Sequence, residues 1–464
     1  MRRWYILTLL FSLLTFSAMA KNLSPLDFGL NEAKNGVERY DALLRCHQEA
    51  VRQGCGVTYR GIGILQIEIP RGATGIPLTD YTDFAGAVIS VRNNVKDLYL
   101  FTMIRPTEKI EVGARQVDAG DFSDIDKLKR GDNLLVLKDA NPWVAERIGY
   151  GYAHYRKDVL LVRGGRAVNK VIMPYNNEWS KVECMYRPVT RKQKVFRNLV
   201  FLRDAQSTYK TCLLRVVAEH NVLAKNIKVT TPANAELFGD HVFMVEDCTA
   251  FTLEDVEVNG TYSQLKKYGY AFGINNVWGH KAIRVKADGN WGVYGNNNVS
   301  EATLRDCMIN RFDIHSYGRD VTFKRCEFFR LYNAFGGTFG KVEYDRCLFN
   351  DVRPSLDGGS YNSFVALDVV FNRCTIQLKK NVPWLIEYQR VPTELNERAE
   401  LRERYLPNVT VRNSTIHLLG GEKKWFVYKA PKASDLEAFK GGQVLIERTT
   451  VDDGTPEMGR IYTR

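Results

Sequence analysis

In the segment RFDIHSYG a guanidinium, a carboxylate and an imidazole recur at every second position, as Arg311, Asp313 and His315. With Phe312 and Ile314 turned into a core, strand geometry sends those three side chains to the other face. Neighbouring segments extend that face. In WGVYGNNN, burial of Trp291 and Val293 turns Tyr294 and Asn296 outward, and in YAFGINNVWGH, burial of Phe272 and Ile274 presents Asn275. In RLYNAFGG, inward Leu331, Asn333 and Phe335 leave Arg330 and Tyr332 outside, while Tyr317 follows His315 by two positions.

Such a set suits β-elimination beside the carboxylate of a uronic acid. The chemistry needs a group that neutralises the carboxylate and its enolate-like transition state, a base for the proton and an acid for the departing oxygen. Arg311, Arg330 or Asn296 can serve the first need, His315 the second, and Tyr294, Tyr317 or Tyr332 the third. The expected catalytic group is therefore His315, Arg311, Tyr294 and Tyr332. Asn275, Asn296, Asp313, Tyr317 and Arg330 are expected to bind substrate. Asp313 either orients and charges His315 or pairs with Arg311 as a surface ion pair. Gly292, Gly295, Gly336 and Gly337 flank the cluster and let a bulky chain approach the backbone.

Two other chemistries compete. Hydrolysis needs two carboxyl groups at a defined separation, and Asp288 with Asp313 is the nearest approach to such a pair. A polysaccharide-binding protein without chemistry would also display Tyr, Asn and Arg, but would have no need of His315. One acid on the face is too few for a typical calcium site, so no cofactor is expected, with calcium left open. No CxxC, phosphate loop, nucleophile elbow or HExxH occurs, so zinc and nucleotide chemistries have no support.

A repeat must position these residues. LRDCMI, FKRCEF, YDRCLF and FNRCTI place Cys307, Cys326, Cys347 and Cys374 identically, and LEDVEV, VRNSTI and IERTTV at 253, 411 and 446 are weaker copies. The spacing, irregular but near twenty residues, suits one turn of a parallel β-helix with variable loops. The four cysteines read as a buried ladder of small side chains, not bridges or ligands. Alternation alone cannot put Phe323 and Cys326 on one core face, so the hexamer needs a bend or Phe323 packs elsewhere. An open coil end must be covered. YDALLRCHQEAVR, with Ala42, Leu43, Cys46, Ala50 and Val51 at helical spacing, supplies a capping helix.

The segment DFGLNEAKNGVERYDALLRCHQEA, residues 27 to 50, resembles the entry of pectate-lyase-like β-helix proteins, and the hexamers resemble their coils. The resemblance implies an all-β fold, a single-stranded right-handed parallel β-helix with an N-terminal capping helix. Polysaccharide lyases, glycoside hydrolases, tailspikes and epimerases share it, so the fold does not choose the chemistry. Residues 21–60 are then the cap and 61–464 the β-helix, with early strands such as LQIEIP and DNLLVLKD forming wide coils and a long insertion near 383–405.

Residues 1–20, MRRWYILTLLFSLLTFSAMA, carry two arginines, a short apolar run and Ala18-Met19-Ala20, the pattern of a cleaved signal peptide. The expected location is periplasmic or secreted, with no membrane span after cleavage. Lys plus Arg number 65 against 53 Asp plus Glu, a net charge of +12. Outside the cytosol this excess favours an acidic polysaccharide over nucleic acid. A sulfated glycosaminoglycan such as chondroitin or dermatan sulfate fits first, then pectin or alginate. Lys266, Lys267, Arg319, Lys324 and Arg325 are candidate sulfate contacts.

Overall fold

The computed structural model describes residues 22–140, 155–176, 180–209, 211–231, 241–259, 270–287, 292–329, 333–350, 367–387, 404–421, 423–430, 439–452 and 457–463. The expected signal peptide, Arg330, Tyr332, Asp288, Lys266 and Lys267 lie outside these residues. So does 388–403, most of the insertion expected near 383–405.

The chain winds into a right-handed parallel β-helix. One interior column runs Leu253, Ala282, Leu304, Phe323, Tyr344, Phe371, Val411 and Ile446. These are the first or aligned residues of the repeated hexamers, together with one coil, AIRVKA, whose alanine hides the pattern. The rings of Phe323, Tyr344 and Phe371 stack with centroids 4.9 and 5.0 Å apart. Each such pair adds about 0.5–1.5 kcal/mol beyond area burial.

The bend that alternation required lies on the residue before each cysteine. Asp306, Arg325, Arg346 and Arg373 have φ of 56°, 51°, 55° and 56°, and Asn413 and Arg448 continue the column at 52° and 46°. A single left-handed residue turns the strand and interrupts alternation, so Phe323 and Cys326 both face inward. Charge stabilises the bend from outside: Arg325 binds Asp306 bidentately at 2.6 and 2.8 Å, and Arg284 does the same to Asp255. Arg325 is therefore engaged in the coil, not presented to a sulfate.

All nine cysteines are free and buried. In the ladder, each thiol donates to a carbonyl of the preceding coil: Cys326 to Leu304, Cys347 to Phe323 and Cys374 to Tyr344, at 3.3–3.5 Å. A small thiol fits between stacked coils and satisfies its weak donor there.

The capping helix spans Gly36–Gln53. Asn35 caps its start by accepting from the Glu38 amide, and Gly54 ends it at φ 65°. Tyr40, Ala42, Leu43, Cys46, His47 and Ala50 face the first coil, whereas Val51 is exposed. His47 bonds Tyr59 Oη at 2.9 Å, and burial lowers its pKa to about 3.

LQIEIP forms a β-helix strand, Ile64–Glu68, but DNLLVLKD does not continue the coils. Strands Glu108–Lys109, Asp132–Asp139, Lys157–Arg163, Arg166–Ala167 and Val182–Val189 build a separate five-stranded antiparallel sheet. Both arrangements read as apolar runs, which is why sequence patterning did not separate them. One face of this sheet packs Leu135, Leu137, Leu160 and Val162 on its own short helices. The other lays Leu134, Val159, Leu161 and Val189 on Val217, Ala218 and Trp278 of the β-helix.

Candidate active site

The site face is carried by successive strands Cys212–Val217, Phe243–Asn259, Tyr270–Trp278, Gly292–Arg305 and Phe312–Ile314. Their register aligns Arg215, Met244, Gly273, Gly295 and Asp313 in one column. A second column aligns Val217, Glu246, Asn275 and Asn297. His315 follows in that column, since its strand neighbour Ile314 pairs with Asn296.

Phe312 and Ile314 are fully buried in the core, so Arg311, Asp313 and His315 share the outer face as expected. They are not equally open. Asp313 is inaccessible and Arg311 is 5% exposed, while the His315 side chain keeps 21%. Arg311 Nε donates to Asp313 Oδ1 at 2.6 Å. Tyr270 Oη donates to Asp313 Oδ2 at 3.1 Å and lies 2.9 Å from His315 Nε2. Arg311 thus fixes Asp313 and does not face a ligand, which corrects the expectation that it neutralises a substrate carboxylate.

A phenol has one proton to give, and the carboxylate paired with Arg311 is the stronger acceptor. The hydroxyl proton therefore points to Asp313, and His315 Nε2–H donates to the phenol oxygen. This orders the relay as His315, Tyr270, Asp313, and puts the basic lone pair of neutral His315 on Nδ1.

Tyr270 reaches this position because glycines make room. A Cβ on Gly295 would overlap its ring, and one on Gly292 would press on the ring and on Arg311. The imidazole of His241 fills the matching space over Gly273 and stacks on Tyr270, with centroids 5.9 Å apart. Gly292 and Gly295 do permit a close approach of bulk to the backbone, and the bulk is the chain's own tyrosine.

Tyr294 and Asn296 face inward, contrary to expectation. Ala271 with Phe272, and Val293 with Tyr294, are consecutive core residues, which reverses the alternation counted from Val293. Tyr294 sits between Phe272 and Phe312 with centroids 4.9 Å from each, fully buried, and burial pushes its phenol well above the ordinary range. It is a rung of the core and not an acid for a leaving group. Asn296 is enclosed between Ile274 and Ile314 and accepts from the Ile274 amide at 3.2 Å. The same reversal hid Tyr270, which alternation from Phe272 and Ile274 assigns to the core. The glycines at 273, 292 and 295 were the available signal for it.

Tyr317 occupies a corner at φ 56° and is 1% exposed, packed with Ile172 and Met173 of the inserted sheet region. Those residues cover the position where a saccharide contact was expected. Arg319 Nη1 donates to Val171 O at 2.9 Å, so it anchors the same flank. Asn275 is outward as expected and half-buried. Asn297, which sequence reasoning missed, donates to Asn275 Oδ1 at 3.1 Å and accepts from Ser316 Oγ at 3.1 Å. The sharpest polar element of the flank is Asp158, which is buried where the insert meets the helix. It accepts from Ile172 N and Tyr175 Oη, and desolvation raises its pKa to about 7.

Among the described residues the donor set does not fit calcium. Asp313 is the site's carboxylate, it is already held by Arg311 and Tyr270, and no group of three His, Cys, Asp or Glu side chains placed to hold a metal ion occurs among the described residues.

No protein-family model matches the chain, and no curated protein matches it by sequence. Among solved structures it is similar to the Gp54 tailspike of Acinetobacter baumannii bacteriophage AP22, solved with A. baumannii capsular saccharide. That match has a TM-score of 0.55 at 9% identity and covers 95% of this chain and 77% of the tailspike. The shared feature is the fold, a parallel β-helix. Weaker matches are the tailspike gp49 of Pseudomonas phage LKA1, with TM-score 0.44, 12% identity and coverage of 94% and 79%. Another is the Yersinia enterocolitica family 28 exopolygalacturonase, with TM-score 0.39, 10% identity and coverage of 96% and 78%. No helix among the described residues is long and apolar enough to cross a membrane.

Proposed function

We propose that this protein is an exported polysaccharide lyase that cleaves an acidic, uronate-containing polysaccharide by β-elimination at His315. The observation that carries the reading is the chain His315–Tyr270–Asp313–Arg311, in which the outermost group is an imidazole and the three groups behind it are buried. His315 Nδ1 removes the proton on the carbon next to the substrate carboxylate. The imidazolium that forms is stabilised through Tyr270 and by Asp313, 3.7 Å from Nε2. His315 then returns the proton to the departing glycosidic oxygen. One carbon–hydrogen and one carbon–oxygen bond break, a carbon–carbon double bond forms, and the histidine ends as it began.

Asn275 and Asn297 take over the task assigned to Arg311. They stand about 4.8 and 9.6 Å along the axis from the level of His315, with Asn297 the nearer. The bonds from Ser316 to Asn297 and from Asn297 to Asn275 orient two amides whose N–H groups can hold the substrate carboxylate as it becomes enolate-like.

Hydrolysis finds less support. Among the described residues, the nearest outward carboxylate in the His315 column is Glu246, three coils away or about 14 Å, well beyond the roughly 5–9.5 Å that glycosidases use. The net charge of +12 favours an acidic chain, a glycosaminoglycan such as chondroitin or dermatan sulfate before pectin or alginate. The tailspike of similar fold was solved with a capsular saccharide, which agrees with a saccharide on this surface.

The test is to mix the protein with chondroitin sulfate, dermatan sulfate, hyaluronan, heparin, pectate and alginate, with and without a chelator. The ultraviolet absorbance of unsaturated uronate should rise with at least one polymer and survive chelation. New reducing ends without that absorbance would replace elimination by hydrolysis. Binding with neither signal would leave a saccharide-binding protein without chemistry.

A further inference from the structure

A cleft of about 320 Å³ lies where the capping helix, the first coil and the exit of the inserted sheet meet. Its wall carries four cations, Arg105, Arg187, Lys192 and Lys194, against two carboxylates, Asp80 and Glu219. Glu219 is 1% exposed and is gripped by Lys194 at 3.1 Å, Arg105 at 3.2 Å and Arg187 at 3.6 Å. Its Oε1 also accepts from the His220 amide at 2.9 Å. Asp80 is partly exposed and meets Arg105 alone, at 3.5 Å.

The charges do not cancel. Lys192 is exposed, and no hydrogen bond or ion pair engages it among the described residues. Two of the cations are largely withdrawn from water, Lys194 at 3% and Arg187 at 18% side-chain exposure. Burial and the neighbouring Arg105 oppose the charge on Arg187, which Glu219 only partly offsets. The last carbonyls of the capping helix, which would otherwise repel an anion, are taken by the amides of Gly54 and Cys55. Of the hydroxyls in the wall, Thr79 donates to Tyr81 O at 2.9 Å and Thr190 accepts from Lys194 Nζ at 3.3 Å. A concave site with surplus positive charge, partly dehydrated and prearranged around a buried carboxylate, is completed by one anion.

We infer that this cleft binds an oxyanion, the sulfate, phosphate or carboxylate group of a small anionic ligand, at a site separate from His315. Arg187 Nη1 donates to Ala218 O at 3.1 Å, and Ala218 opens the corner column that reaches Tyr317 four coils later, about 19 Å along the axis. The cleft therefore does not share ligand atoms with the His315 network, and its occupancy does not depend on the proposed elimination.

The test titrates the full chain calorimetrically with inorganic sulfate, inorganic phosphate and a sulfated monosaccharide at low ionic strength. Saturable binding of at least one is expected, weakened about tenfold by Lys192→Ala and more by Lys192→Glu, and weakened further by added chloride. Lys192 is exposed, so both variants should melt like wild type without ligand. His315→Ala should bind as wild type does, which keeps this result distinct from the fate of the lyase reading. Tighter binding of the sulfated sugar than of free sulfate would identify the ligand as a saccharide, and equal binding the free ion. No saturable binding to wild type, or equal affinity in the Lys192 variants, would overturn the inference.

Discussion

Tyr270 and His315 lie on coils separated by one full turn of the β-helix, yet Tyr270 Oη stands 2.9 Å from His315 Nε2. The contact exists because the intervening turn carries glycine at 292 and 295, over which the tyrosine ring lies. A hydrogen-bonded chain between non-adjacent coils is thereby built into the backbone.

Gly295→Ala should test that relation without touching a reacting group. The added methyl overlaps the Tyr270 ring and displaces the hydroxyl. Turnover is expected to fall about 100-fold, with a loss of about 1–3 kcal/mol of stability from the overpacked ring and the displaced Tyr270–Asp313 bond. Turnover equal to wild type would show that Tyr270 is not positioned by this socket.

Tyr270→Phe keeps the ring and removes the hydroxyl. Asp313, fully buried, then loses one of its two donors, so the protein should lose about 1–3 kcal/mol of stability. Turnover should drop with KM nearly constant, because the group lost supports the imidazolium and not the bound substrate. A rise in KM alone would make Tyr270 a binding residue.

Much of the fold was legible because it is written several times. The hexamers fell on one interior column, the cysteines formed a ladder of free thiols, and the capping helix formed where its apolar spacing placed it. The outward trio of Arg311, Asp313 and His315 was legible from strict alternation. Tyr294, Asn296 and Tyr270 were not, because two successive inward residues reverse the parity, and the glycines at 273, 292 and 295 were the one sign of it. Tyr317 failed for another reason: what covers it, Ile172 and Met173, is distant in sequence.

The cysteine ladder should be judged by volume. Cys326→Ala removes only a small packed group and a weak donor, and should cost about 1 kcal/mol. Cys326→Leu forces bulk between stacked coils and should cost about 1–3 kcal/mol. Chemical denaturation of both variants checks the order, and a more stable leucine variant would contradict a close-packed ladder.

Acid should unfold the protein through its buried histidines. Burial lowers the pKa of His47 to about 3 and that of His280 to about 4. Their contribution is complete above the unfolded value near 6.5 and is lost as pH falls toward those folded values. Asp158 acts oppositely. Its folded pKa of about 7 lies above the unfolded value, so its contribution is present at low pH and is lost between about 4 and 7 as pH rises. Asp158→Asn should steepen the rise of stability across that range and stabilise the protein at neutral pH, by up to about 4 kcal/mol. Parallel stability–pH curves for the two proteins would exclude a buried, protonated Asp158.

The central claim is that His315 carries the proton in a β-elimination. The most direct measurement follows the absorbance of unsaturated uronate as wild type and His315→Ala act on the same acidic polysaccharide, with binding of that polymer measured alongside. The account predicts steady product from wild type, turnover lowered at least about 100-fold in the variant, and affinity for the polymer largely retained. Equal rates of unsaturated product from the two proteins would contradict it.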